Sequence, residues 1–387
     1  MTTPHDAARF SIMERSLAAC VLVAALGCSG THTPTPPPPP DPAGVLDDTT
    51  CPGDAQTIAQ IDDPGITIGS LRFGSVRIGA VAVAEDGSVY FVQTHPGGAN
   101  EVIEIYAVVP GGTAQRIATA PGYSAADAQI WIEGDTLSYL ALGALYTVPR
   151  AGGNLTLVAN TPAKGAGLFS TWLHDATYAY AVATAQSPSD SFHGEVWRLP
   201  RTGGVGERIY TSTDPKETYL YKSSIALDET SIYYTSDAGV LRMPKEGGAP
   251  TLLYASRYPS YDDKLVLSGS ILHVSNFDGV VRADLATLPP AQPPTVLPIG
   301  KSSIFDMVGD ALGVTVLLDM WGSGNERQDL VRLGRGEAHS VALACFDRAS
   351  GYPDITVRAL DAHALYAVVA DDILVAPRHE RIVRVPR

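Results

Sequence analysis

The sequence predicts an all-β protein, a seven-bladed β-propeller of four-stranded blades, and three observations lead to this fold class. A short pattern of alternating apolar and polar residues recurs in seven units along the chain. A second marker, a small or acidic turn followed by an apolar strand, recurs equally often. Helical periodicity is nearly absent, because Pro and Gly interrupt the windows that are long enough for a helix. The 37 Gly and 29 Pro residues suit a turn-rich β protein.

The first marker is a half-buried strand, which in its full form is followed by Pro, a basic residue and a Gly-Gly pair; the units at Val280, Leu330 and Ile382 carry the strand without the Gly-Gly. It is clearest at Val196–Gly204 and Val240–Gly248, returns at Leu145–Gly153 and is looser at Ile105–Gly112. The alternation predicts a strand, and the glycines accept the positive φ angles of a tight hairpin. Successive units lie roughly 40–52 residues apart, which is the length of one propeller blade. The third positions of the units are Ala107, Thr147, Arg198, Arg242, Arg282, Arg332 and Arg384.

The second marker places one residue of the next strand four or five positions after each small or acidic turn. Examples of the turns are Asp86-Gly87, Asp175 and Asp228. Because both markers count to seven, we expect each marked residue to occupy the same place in the second strand of its blade. These residues are Tyr90, Tyr139, Tyr180, Tyr233, His273, Val314 and Tyr366.

The ends of the repeat predict how the ring closes. The last unit finishes at Arg387 after its third strand, so its outer strand has to come from elsewhere. Ala55–Ala59 echoes Ala114–Ala118, the outer strand of the first unit. We therefore expect residues 54–62 to pair beside the strand at Arg381–Arg384. This interlock of the termini resembles the "velcro" closure of many propellers.

Residues 1–28 have the features of a secretory signal. Arg9 and Arg15 precede the apolar run Leu17–Leu26, which is too short to span a bilayer as a helix. The run ends in a segment that resembles the lipobox of bacterial lipoproteins, which implies lipid attachment at Cys28. Ordinary cleaved secretion and an uncleaved anchor are the alternatives, and Met13 is a second possible start.

Residues 29–50 are rich in Pro and Thr and include the run Pro36–Pro40. Such a segment is expected to be an extended, semi-rigid spacer. The propeller is expected to occupy residues 51–387. Its two cysteines, Cys51 and Cys345, are expected to form a disulfide in an oxidising compartment, with two separate thiols as the alternative. The closure described above would bring Cys51 to the edge of the last blade, beside the outer strand that contains Cys345.

The strand with its Pro and Gly-Gly punctuation resembles bacterial lipoprotein and periplasmic propellers of the broad Tol-associated and NHL-like type. The resemblance covers the chain after the spacer and implies an architecture rather than an activity. The chain is 45% hydrophobic and 18% charged, with a net charge of −14. This charge gives no indication of nucleic-acid binding.

No local catalytic motif is present, so no catalytic, metal or cofactor site is predicted. A site assembled around the central channel would leave no local motif, and its candidates are His174, His273, Glu133 and Asp310. The acidic pairs Asp262-Asp263 and Asp371-Asp372 suggest either calcium ligands or solvated loops.

The strand arginines are the most regular polar feature of the repeat. They either pair with neighbouring acids or form a basic ring that attracts an anionic ligand to one face. Two long insertions, Gln186–Gly194 and Met320–Gln328, lie between the second and third strands of their blades. Phe192 and Trp321 are the natural contact residues of these binding-face loops.

The sequence thus predicts a membrane-tethered binding or scaffold propeller for a protein or glycan of the cell envelope. Ser29 after the lipid-bearing cysteine favours the outer membrane, by resemblance to lipoprotein sorting. The alternative is a channel-site lyase or hydrolase acting on a small or sugar-like substrate. A purely structural envelope component is a third possibility.

Overall fold

The structure is a computed structural model. It describes residues 56–63, 66–68, 71–73, 77–95, 102–121, 128–162, 168–169, 172–186, 192–214, 220, 224–255, 264–276, 279–286, 295–297, 302–310, 313–320, 327–334, 340–347, 354–360, 364–370 and 378–386. These residues form strands and turns, and none of them belongs to a helix. Accordingly, the described part offers no helix with the length and apolar character needed to cross a membrane.

In chain order the strands are β1 Gln56–Asp63, β2 Ile66–Ile68, β3 Leu71–Phe73, β4 Arg77–Val83, β5 Val89–His95, β6 Val102–Val108, β7 Gln115–Ala120, β8 Gln129–Glu133, β9 Thr136–Ala141, β10 Ala144–Pro149, β11 Thr156–Asn160, β12 Leu168–Phe169, β13 Leu173–His174, β14 Tyr178–Gln186, β15 Phe192–Pro200, β16 Gly204–Val205, β17 Glu207–Thr211, β18 Ile225–Leu227, β19 Ser231–Ser236, β20 Gly239–Pro244, β21 Thr251–Tyr254, β22 Leu265–Ser268, β23 Ile271–Asn276, β24 Gly279–Asp284, β25 Thr295–Leu297, β26 Ser302–Asp310, β27 Gly313–Met320, β28 Arg327–Gly334, β29 Ser340–Asp347, β30 Asp354–Leu360, β31 Ala364–Ala370 and β32 Arg378–Pro386.

Seven antiparallel sheets follow one another along the chain and confirm the predicted fold class. From the inner to the outer strand, blade 1 is β4–β7, blade 2 is β8–β11, and blade 3 is β12 and β13 followed by β14, β15 and β17. Blade 4 is β18–β21, blade 5 is β22–β25 and blade 6 is β26–β29. Blade 7 consists of β30–β32 with β1 as its outer strand. The innermost strands of neighbouring blades are in contact, and β30 of blade 7 contacts β4 of blade 1.

The predicted closure is confirmed by the register of blade 7. β1 pairs antiparallel with β32, so that Gln56 lies opposite Arg384 and Asp63 lies opposite Arg378. A register shift between Thr57 and Ala59 marks a β-bulge at Ile58. The outer strands of blades 1 to 4 shift register near the same place, so β1 has the geometry of an ordinary outer strand.

The hydrophobic core lies between the blades. Among the described residues the buried side chains form seven clusters, and each cluster joins two neighbouring blades. Between blades 3 and 4, for example, Tyr180 and Val182 pack against Ile225 and Ile232. Blades 7 and 1 are joined in the same way through Tyr366, Val368 and Phe91.

The structure corrects several details of the predicted repeat. Thr315, not Val314, lies opposite Arg332 and occupies the second-strand position of blade 6. Tyr139 lies opposite Tyr146, so the marked residue of blade 2 is one position out of step. The alignment failed at these places because a turn that gains or loses one residue shifts the following strand by one position.

Other differences concern strand boundaries. The insertion Gln186–Gly194 is partly a continuation of the hairpin, because Phe192 pairs with Gln186. The hairpin β2–β3 and the short parallel pairing of β16 with β11 are additions that the repeat did not predict.

Several predictions concern residues outside the described part. These are the signal segment 1–28 with Cys28, the spacer 29–50, Cys51, Trp321 and the two acidic pairs Asp262-Asp263 and Asp371-Asp372. Cys345 lies in β29, opposite Asp329 of β28. Since Cys51 is not described, its pairing with Cys345 stays a prediction.

Candidate functional site

The basic residue that follows the recurrent Pro of the repeat binds the preceding blade. At the junction between blades 1 and 2, the Arg150 guanidinium donates hydrogen bonds to the Tyr90 hydroxyl at 2.9 Å and to an Asp86 carboxylate oxygen at 2.7 Å. Hydrogen bonds from Ser88 and Arg150 lower the pKa of Asp86 to about 2. The two sequence markers are therefore the two halves of one contact between neighbouring blades.

The junction between blades 3 and 4 shows this contact in its most buried form. The Lys245 ammonium lies 2.7 Å from an Asp175 carboxylate oxygen and 5.4 Å from the centre of the Tyr180 ring. Lys245 is only 7% exposed. Burial alone would raise the pKa of Asp175, but the Lys245 hydrogen bond and the Thr177 and Tyr178 amides lower it to about 2.

A second set of ion pairs, centred on Arg198, joins the same two blades. The Arg198 guanidinium in the third strand of blade 3 contacts the Glu207 carboxylate of its own outer strand at 2.8 Å. It also contacts Glu246, in the hairpin of blade 4, at 3.0 Å. Lys245 and Glu246 are adjacent in that hairpin, so one turn supplies both a cation and an anion to blade 3.

The backbone of this hairpin also packs closely on blade 3. Gly247 has a φ of +97°. Its amide donates a hydrogen bond to the Pro244 carbonyl and so closes the turn. A Cβ at Gly247 would lie 2.9 Å from the Ile209 carbonyl oxygen, which belongs to the bulge of the outer strand β17. Only Gly therefore fits here on both grounds, the left-handed backbone and the close approach.

At the junction between blades 7 and 1 the equivalent hairpin lacks these side chains. The Gly112 amide donates to the Val109 carbonyl at 2.8 Å, as Gly247 does to Pro244. By this register Pro110 replaces Lys245 and Gly111 replaces Glu246. The φ of Gly111 is +74°, which with Pro before it is typical of a type II turn. Such a turn requires Gly at this position, so no acidic side chain can stand here without strain.

The hairpin of blade 1 also stays away from the outer strand of blade 7. The atoms nearest to a Cβ built on Gly112 belong to Val109 of the same turn, at 2.7 Å. At blade 4 the corresponding atoms belong to Ile209 of the preceding blade. Ile58, at the bulge of β1, is the counterpart of Ile209, and it lines a cleft.

This cleft, the closure cleft, has a volume of about 790 Å³. That volume falls within the range of small-ligand sites. Its walls come from the first-to-second and third-to-fourth strand turns of blade 1 and from the outer three strands of blade 7. The described lining residues are Thr57, Ile58, Val83, Ala84, Glu85, Gly87, Val89, Val108, Val109, Pro110, Gly111, Gly112, Tyr366 and Arg384.

Arg384 is the distinctive polar group of the closure cleft. It lies opposite Tyr366 in the register of blade 7, as Arg198 lies opposite Tyr180 in blade 3. Gln56 lies opposite Arg384 where Glu207 lies opposite Arg198. Both acids that hold Arg198 are therefore replaced by uncharged residues, and among the described residues no hydrogen bond or ion pair joins the half-buried Arg384 to another.

The residues proposed for a channel site occupy separate contacts. Trp131 stacks on His174 at 4.3 Å between ring centres and donates to Glu133, which also binds Arg201. Burial lowers the pKa of His174. These contacts place His174 and Glu133 together at the junction of blades 2 and 3, as part of the inter-blade packing.

The other two channel candidates lie in blades 5 and 6. Asp310 forms an ion pair with Arg332 of the same blade, with 3.2 Å between the carboxylate oxygen and the guanidinium nitrogen. His273 is completely buried in β23, and neither ring nitrogen has a hydrogen-bond partner. Burial, and then the nearby Arg282, lowers its pKa to about 4. In the described part, no group of His, Cys, Asp and Glu has a geometry suited to a metal ion.

The sequence candidate Phe192 and the closure cleft lie on opposite faces of the propeller. Phe192 begins β15 and is 42% exposed, on the face formed by the turns between second and third strands. The closure cleft lies on the opposite face, since its hairpins join first to second and third to fourth strands. Sequence reasoning missed the cleft, although the looser unit Ile105–Gly112 was a signal that this hairpin differs.

Comparison with known proteins supports the fold. No protein-family model matches the chain, and no curated protein matches its sequence. Among solved structures, it is similar to an acylaminoacyl peptidase in complex with Z-Gly-Gly-Phe-chloromethyl ketone, with a TM-score of 0.54 and 11% identity. The match covers 81% of this chain and 52% of that one, so the chain spans about half the length of the peptidase.

Two further structures match over nearly their whole length. The β-propeller domain of the Trilobed protease from Pyrococcus furiosus gives a TM-score of 0.52 at 10% identity, covering 80% of this chain and 95% of that one. The AfRom2 CNH domain gives 0.50 at 11%, covering 82% and 98%. The Trilobed protease domain is described as having an open velcro topology, whereas β1 closes the ring here. At such identities the likeness shows the propeller fold alone.

Proposed function

We propose that this protein is a non-enzymatic binding propeller, tethered to a bacterial membrane, that engages a protein partner at the closure cleft. The single observation behind the proposal is the difference between this junction and the junction of blades 3 and 4. A site that the repeat fills with its own hairpin at blades 3 and 4 stays open at blades 7 and 1. A concave site of this volume, lined by both apolar and polar groups, is a candidate binding pocket.

The lining of the cleft favours binding over catalysis. Among its described residues there is one carboxylate, Glu85, and one guanidinium, Arg384, and there is neither histidine nor cysteine. General acid–base or nucleophilic chemistry needs a titratable pair within hydrogen-bond reach of a substrate. The exposed Val109 side chain and the glycine backbone of the turn can contact a polypeptide, but they carry no group that would take part in a reaction.

Export and membrane attachment belong to the same proposal. Residues 1–28 would direct secretion, Cys28 would bear the lipid, and residues 29–50 would link it to the propeller. By resemblance, Ser29 favours the outer membrane. Labelling with a clickable palmitate analogue should mark the wild type and spare the Cys28→Ser variant. Equal labelling of both proteins would contradict the anchor.

We also propose that Cys51 and Cys345 form a disulfide. Its support is the position of β29, the outer strand of blade 6, which contacts β32 of blade 7, while β1 pairs with β32 along its edge. Cys51 precedes β1 by only a few residues. The chain should migrate faster on a non-reducing gel than after reduction, and Cys51→Ser should abolish this difference. An unchanged difference in the variant would contradict the pairing.

Site-directed photo-crosslinking tests the binding function. The photoreactive residue p-benzoylphenylalanine is placed at Val109, which is 57% exposed at the cleft. Val205 is the matched control, because it is 65% exposed and lies in β16, away from the cleft. In cells that express the full chain, Val109 should give a discrete protein adduct that Val205 does not give. Equal patterns, or no adduct at Val109, would contradict the proposal.

A further inference from the structure

The ligand class of the closure cleft can be read from the rest of the repeat. We infer that the cleft binds an acidic residue of a partner polypeptide, whose carboxylate pairs with Arg384. This inference rests on the proposed binding function and specifies what the partner presents. It follows from the junction of blades 3 and 4, whose described hairpin places an acid on an arginine of the preceding blade.

Arg198 and Arg384 occupy the same place in their blades. Each lies in a third strand, opposite a tyrosine of the second strand. The outer strands also match. In blade 3 the β-bulge comes directly after Glu207 and Arg208, and in blade 7 it comes directly after Gln56 and Thr57. The backbone around Arg384 is therefore that of an arginine site with two acidic partners.

Arg384 lacks both partners. At blade 3, Glu207 and Glu246 lie 2.8 and 3.0 Å from the Arg198 guanidinium. At blade 7 the same positions hold Gln56 and Gly111. A guanidinium stays charged at every relevant pH and has five N–H donors to satisfy. Because Arg384 is half-buried, it is poorly hydrated, and a carboxylate is the group that its planar donors match best.

The shape of the closure cleft favours a polypeptide as the source of the carboxylate. At blade 4 the acid is delivered by a tight turn, and its glycine backbone rests against Ile209 of the preceding strand. At blade 1 the turn is withdrawn, and the half-buried Ile58 and the exposed Val109 line the cleft. A partner chain that repeats the blade 4 hairpin would cover these apolar groups and place its acid on Arg384.

Glu85 restricts the sequence of that partner. It lines the same cleft, is exposed, and makes no ion pair within the part of the chain that the structure describes. A second negative charge on the ligand would be repelled by Glu85, whereas a neighbouring basic residue would be attracted. The Lys-Glu order of the blade 4 turn meets this condition, so an acid flanked by a basic residue is the preferred ligand.

The test uses a probe copied from the chain itself. The probe is a blocked hexapeptide with the sequence of residues 243–248, Met-Pro-Lys-Glu-Gly-Gly. It is titrated into the full chain, and the side-chain Nε–Hε signals of the arginines are followed by NMR. The Arg384 signal should shift, while the signal of Arg198, whose acids are already in place, should not. The same peptide with Gln in place of Glu should bind at least about tenfold more weakly.

Variants of the protein complete the test. Arg384→Gln should lower the affinity at least about tenfold, and Arg384→Lys should restore part of it. Arg198→Gln is the matched control and should leave the affinity unchanged. Salt should weaken the binding of the Glu peptide more than that of the Gln peptide. Native near-ultraviolet circular dichroism of each variant shows that it is folded.

The outcomes separate this inference from the proposed function. Equal affinity of the Glu and Gln peptides, or an affinity that Arg384→Gln leaves unchanged, would overturn the inference. Tighter binding of a galacturonate oligomer than of the Glu peptide would also overturn it, in favour of an acidic glycan. If Val109 still crosslinks a protein in such a case, the binding function stands and only the acidic ligand is wrong.

Discussion

The junctions between blades 3 and 4 and between blades 7 and 1 are built on the same plan and end in opposite states. In the first, Lys245 and Glu246 fill the space beside Tyr180 and Arg198. In the second, Pro110 and Gly111 leave the space beside Tyr366 and Arg384 open. The sequence and length of one turn, with the outer strand beside it, therefore determine whether the same surface is an internal contact or a cleft.

The comparison shows how a repeat protein gains a site without new architecture. Blades 3 and 7 present a similar receptor for the hairpin of the next blade, because a tyrosine and an arginine lie at the same register in both. Where the hairpin is complete, the receptor is used for stability. Where the chain closes on itself, the hairpin of blade 1 is shorter and the receptor remains available.

The largest expected effect comes from breaking the closure at the open junction. Deletion of Gln56–Asp63 removes the strand that pairs with β32 and exposes its edge. Several backbone hydrogen bonds of about 1 kcal/mol each are lost, so the free energy of unfolding should fall by at least about 4 kcal/mol. Urea denaturation measures this loss. Deletion of Pro36–Pro40 is the control, and an equal midpoint for both deletions would contradict the closure.

The next effect concerns blade 5, where His273 occupies the place of Tyr180. Its pKa is about 4 in the folded protein and about 6.5 in the unfolded chain. Between these values the unfolded state binds more protons, so stability is complete above pH 6.5 and falls as the pH drops towards 4. The full loss is roughly 3 kcal/mol, from about 1.4 kcal/mol per pKa unit.

His273→Phe tests this contribution. The variant should lose less stability than the wild type between pH 6.5 and pH 4.5, as measured by urea denaturation at each pH. Asp86 and Asp175, whose pKa values are about 2, contribute stability above their unfolded pKa near 4, and that stability is lost as the pH falls from there towards 2. The two proteins should therefore behave alike below pH 4. Parallel curves across the whole range would show that His273 is not the cause.

Removing the cation of the filled junction should have a smaller effect. Lys245→Met leaves the partly buried Asp175 without its partner, which should lower the free energy of unfolding by about 2 kcal/mol. Lys245→Arg should retain most of the stability. At the open junction, Pro110→Ala should cost less than about 1 kcal/mol. Equal losses for Lys245→Met and Pro110→Ala would erase the distinction between the junctions.

The smallest effect is expected for the acid of the filled junction. The Glu246 side chain is 86% exposed, and exposed ion pairs contribute about 0–1 kcal/mol. Arg198 also keeps Glu207 as a partner when Glu246 is replaced, whereas no described acid pairs with Arg384, so Glu246→Gln should change the free energy of unfolding by less than about 0.5 kcal/mol. A loss above 2 kcal/mol would mean that folding needs an acid at this place, and the stability of blade 7 without one would be unexplained.

The sequence predicted the architecture well because a repeat leaves its period in the chain. The alternating strands, the Gly-Gly turns and the echo between Ala55–Ala59 and Ala114–Ala118 were enough for seven blades and for the closure. It placed Val314 wrongly, since turn lengths vary by one residue and only pairing partners reveal the shift to Thr315.

The candidate site was much harder to predict. The sequence showed the two markers separately, at Lys245 and at Asp175. Their contact could not be predicted, because it depends on how neighbouring blades pack side by side. The cleft arises where a pattern is missing, at Pro110 and Gly111, and a search for motifs passes over such a place. Arg384 looked like one member of a regular series, and only its neighbours distinguish it from Arg198.

A crystal structure of the full chain grown with the Met-Pro-Lys-Glu-Gly-Gly peptide would test the central claim most directly. The peptide should lie in the closure cleft between Tyr366 and the turn at Pro110, with its glutamate carboxylate within hydrogen-bond distance of the Arg384 guanidinium. An empty cleft at saturating peptide, or a peptide bound on the opposite face near Phe192, would contradict the claim that this junction is a receptor left open.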